Sequence, residues 1–139
     1  MATVESVIVD TNVFIYLVRG SSSKASKYAP QVDGKRMILS FATVAELWRG
    51  AATRNYGDAS RKRLAADIDV AIVVPPNDEL SKRWGELTAE ARAKGHALGQ
   101  PAQTHDAWVA ATAQLYDLPI LTDDSDFAGF PGLTLLSPV

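Results

Sequence analysis

The sequence predicts an α/β fold in which a mostly parallel sheet of about five strands is covered by helices on both faces. Short apolar runs rich in β-branched residues alternate with longer segments that begin with helix-capping residues, which is the pattern of strand–helix–strand units. The chain has 139 residues, of which 47% are hydrophobic, and a formal net charge of −2. Because these values are typical of one globular domain, we expect a single domain over residues 1–139.

The first part of the chain is predicted to supply two strands and four helices. The apolar run 6–9 indicates a buried strand, and the polar residues 10–12 offer capping side chains for a helix at 13–17. Pro30 should end a short polar helix that begins near Ser23. The remaining elements predicted here are a strand at 37–40 and helices at 43–53 and 59–68.

The second part of the chain continues the alternation of strands and helices. Asn77 and Gly95 mark the two ends of its longest helix, because asparagine favours the N-cap and glycine the left-handed position after a helix. The elements predicted are a strand at 70–74, a helix at 77–94, a loop at 99–101, a helix at 102–116, and strands at 119–122 and 133–136.

Several acidic residues stand in apolar surroundings. Asp10 closes the first strand, Glu46 lies within an apolar helix, and Asp106 opens another. Asp124 and Asp126 belong to an acidic turn after a later strand. A buried carboxylate is costly unless it is paired or bound to a metal, and the carboxyl ends of parallel strands meet at one edge of a sheet. We therefore expect these acids to converge on a pocket for a divalent cation.

The composition limits which metal this pocket takes and where the protein works. The chain has no cysteine and only two histidines, so oxygen ligands are expected, and these favour Mg²⁺ or Mn²⁺. No apolar run approaches the ~18 residues of a membrane span, and no targeting segment precedes the first strand. We expect a cytoplasmic protein without a membrane partner.

The acids lie in four motifs that are spread over nearly the whole chain. They are Val9-Asp10-Thr11-Asn12, Thr43-Val44-Ala45-Glu46-Leu47 followed by Gly50-Ala51, the helix from Asp106 to Ala113, and Leu121-Thr122-Asp123-Asp124-Ser125-Asp126-Phe127. Each motif alone is weak, but their order and spacing together are specific. The chain resembles the PIN domain, and within it the VapC-type ribonuclease toxins of bacterial toxin–antitoxin pairs.

The resemblance implies a three-layer α/β/α fold and an endoribonuclease that uses Mg²⁺ or Mn²⁺ and leaves a 5′-phosphate and a 3′-hydroxyl. Asp10, Glu46 and Asp106 match three acids of the family. Asp124 and Asp126 both fit the fourth position, and Asp124 is preferred. The implied partners are RNA, a second copy of the chain, and a small antitoxin that covers the acidic pocket with its tail and binds promoter DNA with its other end.

Roles within the pocket follow from the chemistry of phosphodiester hydrolysis. Asp10 and Asp106 are expected as direct metal ligands, whereas Glu46 and Asp124 bind through water or hold a second ion. No serine, cysteine or histidine pairing offers a rival nucleophile, so direct attack by water is expected. Thr11, Asn12 and Thr122 match polar positions beside the family's acids, which implies that they orient a metal-bound water or a phosphate oxygen, although helix capping explains the same residues.

Charge is distributed unevenly along the chain. Residues 19–63 contain ten basic and three acidic side chains, whereas the chain from Asp106 onward contains five acids and no base. A basic half beside an acidic cluster suits a polyanion laid across a metal pocket. Arg49 and Arg54 are the residues expected to contact RNA, although a solvated helix face explains the same charges.

Each acid also has a simpler structural explanation. Asp10 caps the following helix, Glu46 closes a capping box with Thr43, and Asp106 interacts with a helix dipole. The acidic turn is then only an N-cap. His105 would point about 100° around the helix from Asp106 and is expected to be exposed rather than a ligand. All these explanations must hold together to remove the metal site, which favours the site.

Three other functional classes share part of this acidic pattern. A phosphatase of the haloacid dehalogenase type needs a second aspartate where this chain has Asn12, and a Toprim-like site needs a glutamate where it has Asp10. The serious alternative is a catalytically silent PIN-fold module that binds RNA or protein. Retention of all the acids argues against that alternative.

Overall fold

The computed structural model describes residues 5–20 and 23–136. Its sheet has five strands in the order β3-β2-β1-β4-β5, and every neighbouring pair is parallel. The predicted parallel sheet is therefore confirmed. The strands are β1 Ser6–Val9, β2 Arg36–Ser40, β3 Ile72–Val74, β4 Ile120–Leu121 and β5 Leu135–Leu136.

The connections between strands are mostly helical. Each helix in the described part of the chain is too short or too polar to span a membrane. The helices are α1 Thr11–Arg19, α2 Ser23–Val32, α3 Phe41–Thr53, α4 Asp58–Asp69, α5 Asp78–Ala93 and α6 Thr104–Tyr116. Short 3-10 turns lie at Ala97–Gly99, Pro101–Gln103 and Ser125–Phe127.

The sheet separates two apolar cores, because successive side chains of a strand point to opposite faces. Ile8 and Ile120 face the core that contains residues of α5 and α6. Val9 and Leu121 face the other core, which contains residues of α1, α2, α3 and α4. Helices thus cover both faces, which gives the expected three layers.

Some element boundaries differ from those expected. Pro30 lies inside α2, which continues to Val32. Because proline has no backbone N–H, the carbonyl of Ser26 receives no helical hydrogen bond from Pro30. Both residues are exposed, so water can hydrogen-bond to that carbonyl instead. The strand expected at 70–74 starts only at Ile72, because Val70 caps α4 and is 75% exposed.

The strand order creates a crevice at the carboxyl edge of the sheet. From β1 the chain moves outward through β2 to β3, and it then crosses to β4 and β5 on the other side of β1. In open parallel sheets this reversal leaves a crevice beyond the carboxyl ends of the two central strands. The motifs that follow β1 and β4 meet at this crevice.

Candidate active site

Asp10 is the buried carboxylate at the end of β1. It is 4% exposed and serves as the N-cap of α1, with Oδ1 accepting a 2.8 Å hydrogen bond from the Thr11 amide. Its Oδ2 accepts a 2.8 Å hydrogen bond from the Thr122 hydroxyl. The expected helix cap is therefore present, and the same carboxylate also borders the crevice.

Asp106 lies in the first turn of α6 and is 6% exposed. Burial, the charge of Asp10, and the hydrogen bond and charge of Asp124 raise the pKa of Asp106 to about 8, against a smaller lowering by His105. Because the ordinary value is 3.8, the metal-free pocket retains a proton near neutral pH. The neighbouring carboxylates disfavour the charged form of Asp106. A cation bound nearby would stabilise that charged form.

The acidic turn after β4 brings Asp124 and Asp126 to Asp106. Ligand atoms of these three residues lie within 4.8 Å of one another. Asp124 Oδ1 accepts a 2.9 Å hydrogen bond from the Asp126 amide, and the Asp124 amide donates to Thr122 at 2.9 Å. Burial and the neighbouring Asp124 raise the pKa of Asp126. Both candidates for the fourth acid therefore reach the pocket.

His105 was expected to be exposed, but the structure places it in the pocket. Its Nε2 lies 3.1 Å from the Thr11 hydroxyl and 3.6 Å from Asp10 Oδ1, and its Nδ1 lies 3.1 Å from Glu46 Oε2. Two consecutive helical side chains both reach the crevice because the N-terminal end of α6 points into it. The adjacent pair His105-Asp106 was the sequence signal for this arrangement.

The charge state of His105 reflects these contacts. Burial lowers the pKa of its imidazole, but the close contact with Asp10 and the charges of Glu46, Asp10 and Asp106 outweigh burial. The net pKa therefore lies above the ordinary value of 6.5. The surrounding carboxylates therefore favour the protonated form of this imidazole.

Glu46 reaches the pocket through His105. The capping-box explanation is wrong, because Ser40 is the N-cap of α3 and its hydroxyl accepts a hydrogen bond from the Ala42 amide. The Glu46 side chain is 43% exposed. In the described part of the chain, two groups of residues have ligand atoms within 4.8 Å of one another, and Glu46 belongs to neither. The groups are Asp10 with His105 and Asp106, and Asp106 with Asp124 and Asp126.

A cavity of about 680 Å³ adjoins the acidic cluster between α1, α3 and α4. It shares Thr11, Asn12 and Glu46 with the site. Thr11 is buried, whereas Asn12 is exposed. Four exposed arginines also line the cavity, against Glu46 and Asp67 as its acidic residues, and they are Arg19, Arg49, Arg54 and Arg63. Arg49 and Arg54 are therefore positioned along a groove that leads to the pocket.

The oxygen donors fit a divalent ion. Asp10 and Asp106 are buried carboxylates whose ligand atoms lie within 4.8 Å of each other and of His105. Hard cations such as Mg²⁺ take carboxylate oxygens and keep several waters. Two buried carboxylates without a cation repel each other, by about 4 kcal/mol at ~4 Å and an effective dielectric near 20.

The family model described as PIN domain matches residues 7–133. The chain belongs to the PIN domain family. This PIN domain is 29% identical to ribonuclease VapC5 of Mycobacterium tuberculosis over 131 residues, covering 90% of this chain and 87% of that protein. It is 28% identical to ribonuclease VapC4 of the same organism, covering 96% of this chain and 98% of that protein. The resemblance inferred from the motifs is thereby confirmed.

Solved structures share the fold of this PIN domain. VapBC2 from Rickettsia felis, bound to a DNA fragment from its promoter, aligns with a TM-score of 0.78 at 18% identity, covering 96% of this chain and 99% of that chain. VapBC-1 from nontypeable Haemophilus influenzae aligns with a TM-score of 0.78 at 23% identity, covering 95% and 97% of the two chains. The three-layer architecture is common to all of them.

Proposed function

We propose that this PIN domain is a metal-dependent endoribonuclease and the toxin of a toxin–antitoxin pair. The observation that carries the proposal is that Asp106 belongs to two groups of possible metal ligands at the carboxyl edge of the sheet, one with Asp10 and one with Asp124 and Asp126. Relatives named VapC ribonucleases match the chain over nearly its whole length, which supports RNA as the substrate.

In this proposal Asp10 and Asp106 hold a Mg²⁺ or Mn²⁺ ion, with Asp124 and Asp126 as the remaining acidic ligands. The bound ion would neutralise the phosphate and lower the pKa of a water molecule that attacks the phosphorus. Asp10 is held in place by the Thr11 amide and by the Thr122 hydroxyl. Thr11, Asn12 and Glu46 line the approach to the site. Hydrolysis by this route leaves a 5′-phosphate and a 3′-hydroxyl.

The arginine-lined groove is the proposed path of the RNA backbone. Arg49 lies three positions after Glu46, and Arg54 follows the end of α3. Both side chains line the groove that shares Glu46 and Asn12 with the acidic pocket. Exposed guanidinium groups beside a metal site suit single-stranded RNA, whose phosphates they would neutralise.

The proposed protein partner is an antitoxin that covers the pocket. Structural relatives include VapBC complexes, and one is bound to promoter DNA. An antitoxin tail with a basic side chain would complement the carboxylates at Asp10 and Asp106. DNA would then be contacted through the antitoxin, and the toxin itself would pair as a homodimer.

A cleavage assay tests the function. RNA should be cut with Mg²⁺ or Mn²⁺ and left intact with excess chelator, and Asp10→Asn and Asp106→Asn should each abolish cleavage while the circular dichroism spectrum is retained. Asp78→Asn, at the start of α5, is the matched control and should cleave normally. Undiminished cleavage in chelator contradicts the proposal. RNA binding without cleavage under any divalent ion would favour the silent binding module.

A further inference from the structure

His105 places a nitrogen donor in a pocket whose other donors are oxygens. Ligand atoms of Asp10, His105 and Asp106 lie within 4.8 Å of one another. The 3.6 Å between His105 Nε2 and Asp10 Oδ1 is longer than a hydrogen bond. Two atoms that bind one ion at about 2.1 Å, with an angle of 90–110° between them, are about 3.0–3.4 Å apart. The observed spacing is close to that of two ligands of the same ion.

The contact of His105 Nδ1 with Glu46 fixes the orientation of the ring and therefore the position of Nε2. His105 Nδ1 lies 3.1 Å from Glu46 Oε2, and a carboxylate can only accept a hydrogen bond. In the neutral ring Nδ1 then carries the proton, and the lone pair of Nε2 faces the Thr11 hydroxyl at 3.1 Å, with Asp10 Oδ1 at 3.6 Å from the same nitrogen. Histidines that bind metals usually donate their other N–H to a carboxylate in this way. The Thr11 hydroxyl, 3.1 Å from Nε2, donates a hydrogen bond to that lone pair in the neutral ring, and an ion bound at Nε2 would take the place of this hydrogen bond.

We propose that His105 Nε2 is a direct metal ligand beside Asp10 and Asp106, and that Glu46 is a positioning residue for His105. The donor set is then mixed nitrogen and oxygen and favours Mn²⁺ over Mg²⁺, because Mg²⁺ is a hard cation that takes oxygen ligands. The inference rests on the proposed function in that it takes the pocket at Asp10 and Asp106 to bind a divalent ion. It goes further by exchanging the roles of His105 and Glu46 in the ligand set.

Pulsed electron paramagnetic resonance of the Mn²⁺-loaded protein tests the ligand directly, without an activity measurement. Wild type should show modulation from a coordinated ¹⁴N nucleus, and His105→Gln should lose it. Glu46→Gln should keep it, because an amide oxygen still accepts the Nδ1 proton. His96→Gln is the matched control and should keep the nitrogen signal, since both ring nitrogens of His96 already contact backbone groups, the Ala128 carbonyl and the Leu98 amide.

A second measurement compares ion preference. In calorimetric titrations the ratio of Mn²⁺ to Mg²⁺ affinity should fall about tenfold in His105→Gln.

Labelling wild type and His96→Gln with ¹⁵N-histidine should convert the ¹⁴N pattern to a ¹⁵N pattern in both, which tests His105 even if its variants unfold. Stoichiometric Mn²⁺ binding without a nitrogen signal, or an unchanged affinity ratio in folded His105→Gln, overturns the ligand role. Absence of any Mn²⁺ binding would instead overturn the proposed function itself.

Discussion

The Thr122 hydroxyl donates a 2.8 Å hydrogen bond to Asp10 Oδ2 across 112 positions of sequence. Its oxygen also accepts the amide of Asp124 at 2.9 Å. The buried Thr122 side chain therefore links the carboxyl ends of β1 and β4, and it fixes the position of Asp10 relative to the acidic turn.

Replacing Thr122 with valine should destabilise the protein by about 1.5–3 kcal/mol, because a buried carboxylate loses a charge-assisted hydrogen bond. The free energy of unfolding from urea titration measures the effect. Thr88→Val is the control, since its hydroxyl bonds only to carbonyls of its own helix. Equal losses in the two variants would show that the contact between Thr122 and Asp10 contributes nothing specific.

Asp106→Asn should melt at a higher temperature than wild type when metal is absent, because it removes repulsion among buried carboxylates. Adding Mg²⁺ or Mn²⁺ should stabilise wild type by about 2.7 kcal/mol at a hundredfold excess over the dissociation constant, and the variant by much less. Differential scanning calorimetry with and without metal makes the comparison. A metal-free variant that melts well below wild type would identify Asp106 as a structural helix residue instead.

Stability of the metal-free protein should depend on pH through Asp106. Its folded-state pKa of about 8 lies above the ordinary 3.8, so between these values the folded state holds a proton that the unfolded state has released. Stability attributable to this carboxyl therefore falls as pH rises from about 4 to about 8, by a few kcal/mol, and is constant above that range. The measurement is the difference in unfolding free energy between wild type and Asp106→Asn. A difference that is flat over this range would refute the expected proton uptake.

Metal affinity should rise with pH over the same interval, because an ion must displace the proton of Asp106. Isothermal titration with Mn²⁺ at pH 6, 7 and 8, together with the proton release inferred from buffers of different ionisation enthalpy, measures this coupling. Asp126→Asn provides a comparison in which Asp106 remains. Affinity independent of pH, with no proton released, would exclude Asp106 as a ligand.

RNA affinity should weaken steeply with salt, and neutralising Arg49 or Arg54 should reduce the slope of log K against log salt by about 0.7 for each lost phosphate contact. Fluorescence anisotropy in an Asp10→Asn background avoids cleavage during the titration. Arg83→Gln is the control, since Arg83 is exposed on α5, on the opposite face of the sheet from the groove. An identical slope in all three variants would show that Arg49 and Arg54 are solvated surface charges that do not contact the RNA.

Local sequence patterns predicted the elements that carry the site. The apolar run before Asp10 and the apolar helix after Asp106 are visible without a structure, and so is the strand before the acidic turn. The short strands and the ends of helices were less well predicted. Pro30 within α2 and the late start of β3 depend on solvent exposure at single positions, which periodicity does not report.

The sequence by itself determined that Asp10 and the acidic turn each follow a predicted strand. Because parallel strands end at one edge of a sheet, the convergence of these acids could be inferred from chain order alone. Only the tertiary structure decided that His105 meets Thr11 across 94 positions, that Glu46 contacts that histidine, and that Asp124 and Asp126 both reach Asp106. The physical reason is that strand-end positions follow from chain direction, whereas contacts between side chains depend on the angle at which α6 meets the sheet. That angle is set by the packing of α6 in the apolar core that it shares with α5, and no local sequence motif specifies it.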